Sequence, residues 1–248
     1  MANRTGLAPD SLASQMVQDS VVAFDVTGLV YLVVGLIVGC LGAAFSIREG
    51  RTRAAIPFFV TATFGAVWLI LEAIARSAVS TGAAIFAYQF ALIFAAMVPA
   101  SFLWFTHKVT GQRRRTDWAL RVAAVLAGAQ FIALLWPGTI ALRGAQPAFG
   151  DEFLAVGMGF TVYFAAVMLT CAAAYATQLR RHQDSDYRHR RARLLLVASV
   201  VGALSSVGFV SSLGVVLLVN SALVMAIFFA LVAYVIARYR VSDITPGL

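Results

Sequence analysis

Apolar residues are gathered along this chain into long runs that short polar segments separate. After a mixed, polar stretch at 1–25, seven such runs follow, and each is close to the roughly 20 residues that a helix needs to cross a bilayer. The runs lie at about 26–47, 54–75, 85–106, 119–137, 153–179, 194–212 and 219–237. This pattern predicts an all-α membrane protein, folded as a seven-transmembrane helix bundle.

Positive charge is concentrated in alternate segments between these runs. All but three of the 19 Lys and Arg residues fall at 48–53, 107–121, 180–193 and 238–248. Cytoplasmic segments of membrane proteins carry the excess of Lys and Arg, so we expect these four inside the cell. The N-terminus is then outside and the C-terminus cytoplasmic, which requires an odd number of helices. We expect a multi-pass protein of the cytoplasmic (inner) membrane.

The composition agrees with a single membrane domain. Hydrophobic residues make up 61% of the chain and charged residues only 12%, with a mean hydropathy of +0.86. Ordinary soluble domains carry about twice that share of charge. Because no repeat and no low-complexity linker divides the chain, residues 1–248 are expected to form one domain. Its ends would be an extracytoplasmic segment at 1–25 and a short cytoplasmic tail at 238–248.

Small residues and one proline predict features of helix packing. Gly35 and Gly39 are four residues apart in the first run, a spacing that lets helix backbones approach closely. We expect this contact inside the bundle and not between two copies of the chain. Pro99 lies inside the third run and removes one backbone hydrogen bond, so a kink is expected there.

One charged pair lies near the end of the second run. Glu72 and Arg76 are four residues apart, so both project from one helix face and can pair. A charge this close to hydrocarbon costs a few kcal/mol unless it is paired or faces protein or water. With polar residues in the outer halves of other runs, the pair suggests a small outward-facing cavity. The candidate residues are Asp25, Tyr31, Glu72, Arg76, Tyr88, Gln89, Gln130, Tyr163 and Asn220. The alternative is a polar network that only fixes helix packing.

The basic segments form a second candidate surface. It comprises Arg113, Arg114, Arg115, Arg188, Arg190, Arg191 and Arg193. Contact with anionic lipids of the bilayer at the cytoplasmic face explains these residues first, at about 1 kcal/mol per residue near the surface. Docking of an acidic cytoplasmic partner is the alternative. No recognisable nucleic-acid-binding module accompanies the charge, so nucleic acid is not expected as a partner.

Several chemistries lack the residues that they need. The single lysine, Lys108, lies at an inner loop edge and cannot form a retinal-type Schiff base within the seventh run. The histidines are expected in basic loops, where they are poorly placed for haem or a buried metal. They are His107, His182 and His189. Motifs of P-loops, zinc proteases and serine hydrolases do not occur. We therefore expect no enzymatic activity, no metal and no cofactor.

The end of the chain resembles a known family. Residues 233–246 read Ala-Tyr-Val-Ile-Ala-Arg-Tyr-Arg-Val-Ser-Asp-Ile-Thr-Pro. This stretch resembles the end of the seven-helix N-terminal sensor region of bacterial and archaeal membrane histidine kinases. In that family the last helix typically continues through a similar element and a proline into cytoplasmic signalling domains. Residues 98–106 also look like the third helix of that family, and the resemblance covers roughly residues 28–246.

The resemblance implies a function in signal transduction. It implies a receptor-like, non-enzymatic module that relays an outer-face or in-membrane stimulus through the last helix. The signal exit would be Arg238, Tyr239, Arg240 and Asp243. Because no kinase segment follows in this sequence, the expected recipient is a separate cytoplasmic signalling protein. An accessory or assembly subunit of a larger membrane complex is the alternative, and a small-solute transporter is a weaker third candidate.

Overall fold

The computed structural model describes residues 26–49, 54–111, 113–143, 146–181, 186–210 and 220–239. Side chains are described there except at 49, 113–116, 142–143, 146, 186, 210 and 239. Within these ranges the chain forms seven long helices. They are α1 (Val26–Glu49), α2 (Ala55–Ser77), α3 (Thr81–Thr110), α4 (Arg113–Leu134), α5 (Leu154–Arg181), α6 (Asp186–Ser205) and α7 (Ser221–Tyr239). Each provides a segment long and apolar enough to cross a membrane, so the predicted all-α seven-helix bundle is confirmed.

The helices close into a ring. Each of the pairs α1–α2, α2–α3, α3–α5, α5–α6 and α6–α7 is in contact, and α7 returns to α1. The fourth helix packs mainly on α3 and lies outside this ring. Its apolar side chains are accordingly exposed, among them Val125, Phe131 and Ile132. In a bilayer such side chains face lipid or another membrane protein.

Several helices extend beyond the apolar runs that predicted them. The third begins at Thr81 and ends at Thr110, and the sixth begins at Asp186, eight residues before its run. An apolar run predicts only the part of a helix that lies in the hydrocarbon core. Backbone hydrogen bonding can continue the helix beyond that core into the polar interface. The prediction that the histidines lie in loops was therefore wrong for His107 in α3 and His189 in α6. His182 lies outside the described residues.

A small β-hairpin that the sequence analysis did not predict joins α4 to α5. Strand β1 (Ile140–Arg143) pairs antiparallel with β2 (Gln146–Phe149), and Ile140 lies opposite Phe149. The strands are only four residues long and show no clean apolar–polar alternation, so periodicity gave no signal. Ile140 and Phe149 are buried, and the hairpin contacts α3. It therefore covers the end of the bundle that is predicted to be outside.

Small residues bring the helix backbones together inside the bundle. A Cβ added to Gly35 of α1 would lie 2.9 Å from Cγ1 of Ile70 on α2, and one on Gly39 would lie 3.4 Å from Cβ of Ala66. The prediction that this stripe packs within the bundle is confirmed. On another face of α2, Gly65 receives the ring of Phe229 from α7. These glycines let α2 contact both α1 and α7 closely.

Candidate functional site

The predicted pair of Glu72 and Arg76 forms in the structure. One Nη of Arg76 donates to Oε1 of Glu72 at 2.8 Å. On the same face, Nε1 of Trp68 donates to Oε2 of Glu72 at 2.9 Å. Residues four apart lie above one another on a helix, so α2 alone supplies both donors. Both oxygens of this buried carboxylate therefore have partners.

Two further residues connect the pair to other helices. The guanidinium carbon of Arg76 lies 4.7 Å from the centroid of the Tyr31 ring on α1, within the range of a cation–π interaction. The Tyr31 hydroxyl and the Ser221 hydroxyl are 2.7 Å apart and hydrogen-bonded. Ser221 is the first residue of α7. We name Tyr31, Trp68, Glu72, Arg76 and Ser221 the outer cluster, which joins α1, α2 and α7.

The outer cluster is largely shielded from solvent. The side chain of Glu72 is 6% exposed and that of Arg76 is 20% exposed. Below them the ring of Trp68 stacks on Phe209 at a centroid distance of 5.4 Å. Charges in such surroundings interact strongly, and removing one partner leaves the other buried and unpaired. The ion pair is therefore expected to hold these three helices in one arrangement.

Two buried polar atoms beside the pair lack hydrogen bonds within the described structure. They are Nε of Arg76 and Oγ of Ser77, the last residue of α2. Buried polar groups are normally satisfied, and exceptions often mark a water or ligand position. A water molecule or a polar ligand group could therefore hydrogen-bond at this end of α2.

The remaining residues of the predicted cavity are distributed over the bundle. Tyr88 on α3 is buried and lies close to Arg76. Nε2 of Gln89 donates to the carbonyl of Leu134, which ties α3 to the end of α4. Gln130 lies beside Gly159 of α5. The structure thus brings Tyr31, Glu72, Arg76 and Tyr88 together, and the glutamines contact other helices. The outward-facing cavity itself stays a prediction.

Three other predicted residues have separate positions. The hydroxyl of Tyr163 donates to the carbonyl of Ala96 on α3 at 2.9 Å. Asn220 caps α7, because its Oδ1 accepts from the backbone N–H of Ala222 at 3.0 Å. Asp25 lies outside the described residues. The hydrogen bond of Tyr163 therefore joins α5 to α3, and that of Asn220 caps α7.

Sequence reasoning missed two members of the outer cluster. Trp68 precedes Glu72 by four residues, the same spacing that identified Arg76, so its indole N–H was an available signal. Ser221 is separated from Tyr31 by 190 positions, and no local pattern connects the two. Only the ring closure of α7 onto α1 brings them together.

A pocket lies at the opposite end of the bundle, where the basic segments are. We name it the basic-end pocket. It is lined by Val109, Thr110, Tyr175, Gln178, Arg188, Arg191, Ala192 and Leu195. The α5 wall is fixed by two hydrogen bonds, from Tyr175 to Oγ1 of Thr106 at 3.1 Å and from Gln178 to the carbonyl of Thr110 at 3.1 Å. The pocket thus lies between the end of α3, the end of α5 and the beginning of α6.

Only part of the predicted basic surface lines this pocket. Arg188 and Arg191 line it, whereas Arg190 and Arg193 are exposed outside it. The side chains of Arg113, Arg114 and Arg115 are not among those described. At the predicted signal exit, Arg238 is exposed at the end of α7 and Tyr239 is its last residue. Arg240 and Asp243 lie outside the described residues.

Metal ligands are not clustered in the described ranges. No group of three or more His, Cys, Asp or Glu side chains that could hold a metal ion occurs among them. His107 instead lies 3.3 Å from a carboxylate oxygen of Asp117, so the two connect the end of α3 to the beginning of α4.

Comparison with known proteins gives one match of high coverage. The family model described as the N-terminal 7TM region of histidine kinase matches residues 30–246, nearly the whole chain. No curated protein and no solved structure matches the chain. The matched region includes all members of the outer cluster and the whole basic-end pocket. The chain therefore belongs to the family of N-terminal seven-transmembrane regions of histidine kinases.

Proposed function

We propose that this chain is a non-enzymatic sensor module whose outer cluster controls the position of α7. The family is a membrane sensor module of histidine kinases, which supports the sensor class. A stimulus at the outer face or within the membrane would change the packing of the outer cluster. The last helix would carry that change to the basic end, where a cytoplasmic signalling protein receives it.

The observation that carries this proposal is the hydrogen bond between Tyr31 and Ser221. It connects the first residue of α7 to the ring that lies against Arg76. Any event that alters the pairing of Arg76 with Glu72 also alters the surroundings of the Tyr31 ring. The beginning of α7 is therefore coupled to a charged pair on a different helix.

A second contact supports transmission along α7. Gly65 lies seven residues before Glu72, on the same face of α2, and receives the ring of Phe229. A Cβ at Gly65 would lie 2.5 Å from that ring, so α2 and α7 are closely fitted two turns deeper in the bundle. Closely packed interfaces tend to switch between discrete arrangements. A change at the outer cluster can therefore move α7 as a unit.

Nε of Arg76 and Oγ of Ser77, which have no hydrogen-bond partner among the described residues, indicate where a stimulus could act. A polar or anionic ligand bound there would compete with Glu72 for the guanidinium. Such a ligand shifts the bundle only if it binds one arrangement better than the other. A tenfold preference corresponds to about 1.4 kcal/mol, which is comparable to the worth of one charged hydrogen bond.

The proposal can be tested with a histidine-kinase core joined to the end of α7 as a reporter. Tyr31→Phe removes the hydroxyl and keeps the ring beside Arg76. Tyr163→Phe is the matched control, because it removes an equally buried hydroxyl that bonds α5 to α3. We expect Tyr31→Phe to change basal autophosphorylation several-fold and Tyr163→Phe to leave it within about twofold of wild type.

Two outcomes of this assay would count against the proposal. Equal output from both variants would show that the link to α7 has no special role. If Glu72→Gln lowers thermal stability but leaves kinase output equal to that of wild type, the outer cluster only stabilises helix packing. In reconstituted vesicles, autophosphorylation and the amount of protein are measured on the same sample, so a loss of output can be distinguished from a loss of protein.

One observation favours a second candidate, the accessory subunit. The fourth helix lies outside the ring and exposes large apolar side chains along its length, including Trp118, Val125 and Ile132. A neighbouring membrane protein could pack on this face as well as lipid could. Stoichiometric co-purification of a membrane protein in mild detergent, abolished by Ile132→Trp, would support that function.

A further inference from the structure

We propose that the basic-end pocket is a binding site for a phosphate group, with Arg188 and Arg191 as its ligands. This inference concerns binding alone and does not depend on the sensor function. The phosphate could belong to an anionic phospholipid headgroup or to a soluble phosphate compound. The observations favour the lipid.

The first observation is the arrangement of the two arginines. They are three residues apart, so they project from one face of α6, and Ala192 and Leu195 continue that face into the pocket. Like charges at this spacing repel each other. An anion between two guanidinium groups removes that repulsion and accepts hydrogen bonds from both. Arginine suits phosphate because its planar fork can donate two parallel bonds.

The second observation is that Arg191 is half-buried without a described counter-ion. No carboxylate among the described side chains lies within ion-pair distance of it. Its neighbours include the ring of Tyr175 and the amide of Gln178, whose own polar atoms donate to α3. A partly desolvated cation that has no counter-ion among the described side chains is a candidate site for an anion from outside.

The third observation concerns the lining. Val109 and Leu195 give the pocket an apolar wall, and Arg188 and Arg191 give it a charged one. An amphiphile needs both, because its phosphate binds the cations and its glycerol region contacts the apolar side chains. The pocket also lies at the ends of three helices that are long and apolar enough to span a membrane, where lipid headgroups are expected. These features favour a phospholipid over a free phosphate compound.

Native mass spectrometry of the full chain in detergent tests the proposal. Delipidated protein is mixed with phosphatidylglycerol or with phosphatidylcholine, and the bound fraction is measured for each. We expect wild type to retain phosphatidylglycerol preferentially and Arg191→Gln to retain about tenfold less. Arg193→Gln is the matched control, because it removes the same charge from an exposed position on the same helix. It should stay within about twofold of wild type.

A second arm identifies the source of the phosphate. Inorganic phosphate is added to the delipidated protein, and the shift in melting temperature is compared between wild type and Arg191→Gln. Stabilisation that requires Arg191, without a preference for phosphatidylglycerol, would keep the site and make its ligand soluble. If neither probe distinguishes Arg191→Gln from Arg193→Gln, the basic end is a generic charged surface and the proposal is wrong.

A third variant, Arg188→Gln, keeps the proposal testable if Arg191→Gln does not fold. Arg188 is exposed, so Arg188→Gln should fold even if Arg191→Gln does not. We expect it to lower phosphatidylglycerol retention several-fold. Full retention by Arg188→Gln would contradict the proposed pair of ligands. Arg191→Lys should fall between wild type and Arg191→Gln, because a lysine keeps the charge and loses the fork.

Discussion

The two polar ends of the bundle satisfy their charges in opposite ways. In the outer cluster, Arg76 has a carboxylate at 2.8 Å and an aromatic ring against its face. In the basic-end pocket, Arg188 and Arg191 lie side by side, and no described carboxylate pairs with them. The outer cluster pairs its charges within the described part of the chain, whereas we propose that the basic-end pocket binds an anion from its surroundings.

Because of this difference, we expect substitutions at one end to change mainly stability and substitutions at the other end to change mainly binding. A buried ion pair that loses one partner leaves an uncompensated charge, so substitutions in the outer cluster should destabilise the fold. Removing one of two neighbouring cations relieves repulsion, so substitutions in the basic-end pocket should leave the fold intact and lower binding.

The largest effect is expected from Arg76→Leu. This substitution leaves the buried Glu72 carboxylate without its ion-pair partner. It should therefore lower the free energy of unfolding by about 3 kcal/mol. Thermal unfolding in detergent provides the measurement. Arg193→Leu, which removes an exposed arginine, should cost less than about 0.5 kcal/mol. Equal costs for the two variants would show that the ion pair contributes nothing beyond a surface charge.

The contact between α2 and α7 comes next. Gly65→Ala places a Cβ against the buried ring of Phe229 and should cost about 2 kcal/mol through overpacking. Gly128→Ala on α4 is the control, because a Cβ there meets no atom within 4 Å. It should be neutral or slightly stabilising, since alanine favours a helix. If Gly65→Ala behaves like the control, α2 and α7 are loosely fitted and the transmission path is unsupported.

A smaller effect is expected from Trp68→Phe. The change removes the N–H that donates to Glu72 and keeps an aromatic ring against Phe209. Loss of one hydrogen bond to a carboxylate should cost about 1.5 kcal/mol. Trp118→Phe, at an exposed position on α4, should cost close to nothing. The same unfolding measurement compares the two, and a similar cost at both positions would argue that the indole N–H is dispensable.

The smallest effect on stability is expected at the basic end. Arg191→Gln should change the free energy of unfolding by less than about 0.5 kcal/mol in delipidated protein, because it removes a repelled charge. Added phosphatidylglycerol should stabilise wild type and not this variant. A loss as large as that of Arg76→Leu would mean that Arg191 has a partner within the protein, and the contrast between the two ends would fail.

Local features were predictable from the sequence. The seven helices follow from the length of the apolar runs, and the pair of Glu72 and Arg76 follows from helix geometry. The hairpin of β1 and β2 was not predictable, because two four-residue strands carry no periodic signal. The bond between Tyr31 and Ser221 was not predictable either, since it depends on how the ring of helices closes. The proposed function depends on contacts between helices that are far apart in the sequence, and the pattern of apolar and polar residues does not predict those contacts.

A distance measurement at the basic end of the bundle shows whether the outer cluster positions α7. Spin labels at the exposed positions Lys108 of α3 and Arg238 of α7, in a variant lacking the exposed Cys40, report that distance by pulsed electron resonance. We predict that Tyr31→Phe shifts or broadens the distribution by about 1–2 Å, the scale of helix shifts in switching proteins, and that Tyr163→Phe does not. Identical distributions in wild type and Tyr31→Phe would contradict the claim.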